Sequence, residues 1–238
     1  TQSLKEVYAL AFSPDGKRCL MDSEKVKQVI RFWADLKLKY HVMPTSSESS
    51  SLASMGAWGR DVLLFRESKA AMIVSGRWMV IQFREQKDLD WDVVSVPRGK
   101  NRVTLLGTKC YAIPRTCRNK AAAVKFVSHL LSEENQLAVA SYGDGIPSLN
   151  EQRVKEAFLY NPDYPKETSN RLYLDEMKYA RLPECSPYIS NLDVNAIIKM
   201  ELDTMWLGEL SPDQACESVS KQINAIIHRN ITNPNLMN

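Results

Sequence analysis

The chain has 238 residues, 44% hydrophobic and 25% charged, with 31 Lys and Arg against 28 Asp and Glu. A formal charge of +3, carried by scattered basic residues with no aromatic-studded basic stripe, argues against nucleic acid as a partner. No apolar run reaches the ~20 residues of a membrane span, and the start TQSLKEVYALAF lacks the basic-then-apolar order of a signal peptide.

In chain order, Asp22 or Ser23 is placed to cap a helix running to about Tyr40, with Val26, Val29, Ile30, Trp33 and Leu36 on its apolar face. Pro44 and the run TSSESSS at 45–51 read as a polar loop. A second helix is expected over 61–70. It leads into the most informative stretch, FRESKAAMIVSGRW at 65–78. Here a small-residue step is followed by β-prone Ile73-Val74 and then by Ser75-Gly76-Arg77-Trp78. Glycine allows close approach of backbone to a neighbour or ligand, and tryptophan offers a flat apolar face with one polar handle. The pair suits stacking against a flat, hydroxyl-rich ligand such as a sugar ring.

A strand closed by Pro97 is expected over 91–97, a turn over 98–101, and a second strand over 105–113 with Gly107 inside it as a bend or close approach. Helical text starts at Asn119, with Ala123, Val127, Leu130 and Leu131 on one face. Ser132 caps a further helix bearing Glu133 and Glu134 in its first turn, and Gly143-Asp144-Gly145 breaks it. Residues 161–170 read as a loop. Val194, Ile197, Ile198, Glu201, Leu202 and Met205 mark a helix ending near Gly208. Ser211-Pro212-Asp213-Gln214 then starts another, with Ala215, Cys216, Val219, Ile223 and Ile226 on its apolar face. Strands interspersed with helices indicate an α/β class. Trp33, Trp91 and Trp206 read as structural.

Five cysteines, an odd number without CxxC spacing, argue against zinc or thioredoxin-type sites and for buried or half-buried thiols. One disulfide stays open and cannot be assigned from sequence. His41, His129 and His228 stand far apart without metal-ligand spacing. GxSxG, GxGxxG and GxxxxGK[ST] are all absent. A glycosidase needs two carboxylates at a defined separation, which sequence cannot pair. The balance tips toward binding without a cofactor or metal.

The order of these motifs resembles the bacterial ABC-transporter extracellular solute-binding proteins of the sugar-binding type, the group that includes maltose-binding protein. The resemblance rests on Phe65, Lys69-Ala70-Ala71-Met72 and Gly76-Arg77-Trp78, with Ser68 in place of the commoner glycine. It continues through the proline-ended and glycine-containing strands, Ala122-Ala123-Val124-Lys125-Phe126, the Ser-Glu-Glu-Asn-Gln helix at 132–136, Gly145-Ile146-Pro147-Ser148 and the final helix pair. It covers nearly the whole chain.

The resemblance implies an α/β, two-lobed periplasmic-binding-protein-like fold of type II, closing on a sugar in the interlobe cleft. It assigns 1–110 and 185–238 to the C-terminal lobe and 111–184 to a segment returning to the N-terminal lobe, with the family's N-terminal part absent from this chain. It implies a non-catalytic protein of the periplasm or cell surface, monomeric when complete, that serves ABC permease membrane subunits. Carried over by position, Trp78, Trp58, Arg77, Gly76, Gly107, Tyr188 and Asn195 are the ligand-binding candidates. Asn195 departs from the aromatic of maltose-type members. The alternatives are a glycoside-acting enzyme, or a sensory or other-solute binder, such as one for a glycerol phosphate ester held by Arg77, Arg60 and Lys109.

Overall fold

A computed structural model describes residues 11–44 and 60–233. Helices α1 (Glu24–Leu38), α2 (Arg60–Arg66) and α3 (Val80–Glu85) precede strand β1 (Thr104–Leu105). Helices α4 (Lys120–Leu130), α5 (Glu133–Tyr142), α6 (Gln152–Leu159) and α7 (Asn170–Glu176) lie between it and strand β2 (Ala180–Arg181). Helices α8 (Asn191–Trp206) and α9 (Pro212–Thr232) follow. Two compact units result, Thr1–Gly56 with Glu184–Asn238, and Ala57–Pro183.

The first unit is built on α9. Its capping box forms as the sequence predicts, Gln214 N–H donating to Ser211 Oγ at 3.3 Å while Ser211 N–H donates to Gln214 Oε1 at 2.9 Å. Ala215, Cys216, Val219, Ile223 and Ile227 are buried along one stripe against α1 and α8. Each fully buried Ile contributes about 1.5–3 kcal/mol relative to exposure. The inward face of α1 differs from expectation. Val26, Ile30 and Ala34 are buried, whereas Val29 and Trp33 are exposed. Packing against α9 selects an i, i+4, i+8 ridge and turns the neighbouring apolar ridge outward. Trp33 meets Trp206 edge-on, with ring centroids 5.5 Å apart.

A short hairpin precedes α1, with Phe12 bridged antiparallel to Cys19. Its signal was the Pro14-Asp15-Gly16 turn, with Gly16 at φ 67°. The Asn224 side chain locks it to α9, its Oδ1 accepting from Cys19 N–H at 2.8 Å and its Nδ2 donating to Cys19 O at 3.2 Å. All five cysteines are free thiols, Cys19 and Cys216 buried. Burial pushes the Cys216 thiol up to about 11, which makes it inert.

In the second unit, α2 ends at Arg66 rather than 70, because Ser68 adopts a left-handed conformation. At 91–97, where a strand is expected, half-buried and exposed residues alternate from Trp91 to Val96, but the segment joins no ladder among the described residues. The expected strand at 105–113 reduces to β1, paired parallel with β2 through Thr104–Ala180 and Leu105–Arg181. Strand propensity alone does not make a strand; a ladder needs a neighbour of matching register. Side chains supply the missing ties: Ser95 Oγ donates to Glu176 at 2.7 Å, and Arg102 pairs with the same carboxylate. Ser132 caps α5 as predicted, and Asn119, where helical text was expected to start, caps α4. The face of α4 is only half-covered, with Leu131 exposed.

Candidate functional site

The Gly76-Arg77-Trp78 turn lies wholly in the second unit. Residues Arg77–Met79 form one turn of 3-10 helix that runs directly into α3. Met79, Val62 and Phe83 make a small core, joined by Phe65, Ile73, Leu89 and Trp91. Trp91 is therefore structural, its ring 5.2 Å from that of Phe83. Within the turn the side chains alternate sharply. Arg77 is 5% exposed and Met79 4%, while Trp78 between them is 54% exposed. The indole folds back over Gly76: a Cβ there would stand 2.0 Å from Trp78 Cζ3. The Gly-x-Trp spacing is thus a packing requirement, since only glycine leaves room for the ring.

Beneath the turn lies a buried charge cluster. Arg84 binds Glu167 as a fork, Nε to Oε1 at 2.7 Å and Nη2 to Oε2 at 2.8 Å. Its Nη1 donates to the carbonyls of Ser141 and Tyr142 at 2.8 and 2.7 Å, closing the C-terminus of α5 with a positive charge. Its guanidinium also lies 3.9 Å above the Tyr164 ring. Gly143, at φ 94°, is the helix-ending residue; a Cβ there would stand 2.6 Å from Arg84 Nη1.

Arg77 reaches the same carboxylate only at 3.9 Å, beyond hydrogen-bond range. None of its three guanidinium nitrogens has an acceptor among the described residues. Its guanidinium sits 5.2 Å from the Phe158 ring and 5.4 Å from that of Tyr173. Burial lowers its pKa, against the opposing influence of Tyr173 and Glu167. Burial in turn raises the pKa of Tyr173, keeping the phenol neutral. Glu167, Tyr173 and Asn170 line a small cavity with Trp91, Asp92, Val93 and Ser169.

The structure brings Gly76, Arg77 and Trp78 together. Gly107 lies in an exposed segment after β1, and a Cβ there would meet nothing within 4 Å, so no contact within the described chain demands glycine. Tyr188 and Asn195 belong to the first unit. Tyr188 is half-buried against its core and its carbonyl accepts from Asn230 Nδ2 at 2.8 Å, while Asn195 is exposed on α8. Trp58 lies outside the described residues. Of the other basic candidates, Lys109 is exposed and paired with Asp144 at 2.6 Å. Sequence reasoning missed Arg84, Glu167, Phe158 and Tyr173; only the Gly143 helix break pointed to their neighbourhood.

A second recurring pair of motifs also has a geometric basis. Buried Gln136 of α5 accepts from Ser148 N–H at 2.8 Å and from its hydroxyl at 3.1 Å, while its Nε2 donates to Leu130 O. The Ser-Glu-Glu-Asn-Gln helix and the Gly-Ile-Pro-Ser loop are one hydrogen-bonded unit.

Residues 3–165 match the bacterial extracellular solute-binding protein family. A maltooligosaccharide ABC transporter solute-binding lipoprotein of Streptococcus pneumoniae is 32% identical over 92 residues, covering 37% of this chain and 22% of that protein. A galactooligosaccharide-binding protein of Bacillus subtilis is 25% identical over 180 residues, covering 72% of this chain and 41% of that protein. Among solved structures, an ABC substrate-binding protein from Listeria monocytogenes in complex with cycloalternan superimposes with a TM-score of 0.76 at 16% identity, over 92% of this chain and 53% of that one. The maltose/maltodextrin-binding domain MalE from Bdellovibrio bacteriovorus, bound to maltotriose, gives 0.71 at 21% identity, over 94% and 55%. The chain thus spans well under half of these curated relatives and about half of these solved chains. It carries part of the α/β fold of the two-lobed solute-binding proteins. With the family match extending over more than half of its residues, the chain belongs to the bacterial extracellular solute-binding proteins.

Proposed function

We propose that this chain is part of a protein that binds a sugar or oligosaccharide outside the cytoplasmic membrane and passes it, unreacted, to the membrane subunits of an ABC importer. The observation that carries the reading is Trp78, a half-exposed indole laid on a glycine and flanked by two buried residues, in a member of this family. A flat apolar face with one polar edge complements a sugar ring. Relatives named for maltooligosaccharide and galactooligosaccharide, and a structural neighbour bound to maltotriose, support an oligosaccharide over other solutes.

Gly76 enters the proposal as the seat of the indole. Gly107, Trp58, Tyr188 and Asn195 enter as further ligand contacts on the strength of the family resemblance alone. The assignment of 1–110 and 185–238 to one lobe and 111–184 to the other belongs to the same reading, as do a monomeric state and an exported location in the periplasm or on the cell surface.

The test is titration of tryptophan fluorescence and heat release in the full-length protein with maltotriose and galactooligosaccharides. Saturable binding that Trp78→Ala weakens severely, with cooperative unfolding retained, supports the reading. Affinity unchanged by Trp78→Ala removes Trp78 from the site, and the absence of any response to these sugars moves the function to another solute or to sensing.

A further inference from the structure

We infer that Arg77 is a positioning residue for ligand recognition: its buried guanidinium fixes the turn that presents Trp78, and it does not itself touch ligand. The inference rests on the reading of Trp78 as the sugar-stacking residue.

The geometry begins with the alternation around Trp78. Its C-terminal side is held by Met79 and Val80, 4% and 1% exposed in the core and on α3. On its N-terminal side, residues 71–76 are exposed or half-buried, and only Ile73 reaches the small core. Arg77 is the first buried residue after that run, so the N-terminal edge of the turn hangs on one side chain.

The residue type fits the task. A planar guanidinium stacks on aromatic rings and keeps its charge, which a lysine ammonium does less well. Phe158 and Tyr173 supply the rings and Glu167 the opposite charge. Arg84 already occupies both oxygens of Glu167, so Arg77 is held by ring faces and charge rather than by a fork. Gly143 makes room for Arg84 beside it, since a Cβ there would stand 2.6 Å from Arg84 Nη1 and at ordinary contact distance, 3.4 Å, from Arg77 Nη1. A side chain with 4% of its surface exposed offers a ligand no donor.

Fluorine NMR of the full-length protein grown on 5-fluorotryptophan tests the inference without ligand. The Trp78 resonance is assigned by its loss in Trp78→Phe. Arg77→Met is expected to move it toward its unfolded position while the resonances of Trp33 and Trp206, in the other unit, stay in place, and maltotriose affinity falls by roughly a factor of ten, one decade in Kd. Arg77→Lys is expected to restore part of both. A residue that serves only stability would lower the melting temperature and leave the native Trp78 resonance unmoved, which overturns the inference.

Where Arg77→Met does not fold, Tyr173→Leu decides: it removes one of the two rings that hold the guanidinium, and an unmoved Trp78 resonance there overturns the inference. Maltotriose binding lost in Arg77→Met with an unmoved Trp78 resonance makes Arg77 a ligand contact and also overturns it. Should the parent protein not bind maltotriose, the sugar reading fails, while the ligand-free resonance still judges the anchor.

Discussion

The Trp78 indole rests on Gly76 so closely that a methyl group at position 76 would stand 2.0, 2.3 and 2.5 Å from Cζ3, Cη2 and Cε3 of the ring. The Gly76 backbone, at φ −117° and ψ 175°, is extended and open to any residue. Gly76→Ala therefore has no backbone strain to pay; it must instead drive the indole off its seat. Because Trp78 is half-exposed, the fold is expected to stay within about 1 kcal/mol of the parent, the lower unfolded-state entropy offsetting lost contact. Urea unfolding measures the first effect, and tryptophan emission with maltotriose titration measures the second. An unchanged emission spectrum and affinity would show that the ring can be accommodated elsewhere.

Ser68 is the one place in the quoted family text where this chain carries a residue its conformation does not favour. Its φ is 54°, and the turn around it closes α2 through Lys69 N–H to Leu64 O at 2.8 Å and Ala70 N–H to the same carbonyl at 3.1 Å. A left-handed conformation costs a residue with a Cβ about 1–2 kcal/mol, against about 0.5–1 kcal/mol for the extra entropy of glycine. Ser68→Gly is expected to raise stability by about 0.5–1 kcal/mol, a rise in melting temperature of roughly 2 °C for a protein of this size. A lower melting temperature would mean that the serine side chain offsets the strain.

What the sequence made legible was local. The caps at Ser132 and Ser211, the helix start at Asn119 and the helix break at Gly143 follow from residues acting within a few positions of themselves, and each is found. The buried stripe of α9 follows equally from its own period. The expected strands failed because a ladder depends on a partner elsewhere, and β1 meets β2 for only two residues. At the candidate site, Gly76 and Trp78 were legible because they are two residues apart. Arg84 and Glu167 were not: 83 residues separate them, and no period or motif links the two. The burial of Arg77 was hidden for the same reason, since Phe158, Glu167 and Tyr173 come from α6, a loop and α7. Gly107 read as a close-approach glycine; among the described residues nothing lies within 4 Å of where its Cβ would stand, so its reason lies outside local packing.

Acid should loosen the first unit through one arginine. Arg31 of α1 donates from Nε to Asp213 Oδ1 at 2.7 Å and from Nη2 to Oδ2 at 2.5 Å, and from Nη1 to Glu24 Oε1 at 2.7 Å. These hydrogen bonds hold the Asp213 and Glu24 carboxyls below their ordinary values of 3.8 and 4.5. Both acids also lie in the first turn of a helix, where negative charge is favoured. A carboxyl with a depressed folded pKa binds fewer protons folded than unfolded in acid. Its stabilisation is complete above the ordinary value and is lost as pH falls through the folded one. Melting temperature is therefore expected to be insensitive to these groups near neutrality and to fall progressively below pH 4.5 and then 3.8. The pairs are solvent-accessible, so added salt should shrink the effect. Arg31→Met should lower the neutral-pH melting temperature slightly and flatten the acid slope. Circular-dichroism melts of both proteins from pH 7 to roughly 2.5, a window reaching below the ordinary carboxyl range, make the comparison. An acid slope as steep in Arg31→Met as in the parent would place the acid sensitivity at other carboxylates, such as Glu176 beside Arg102.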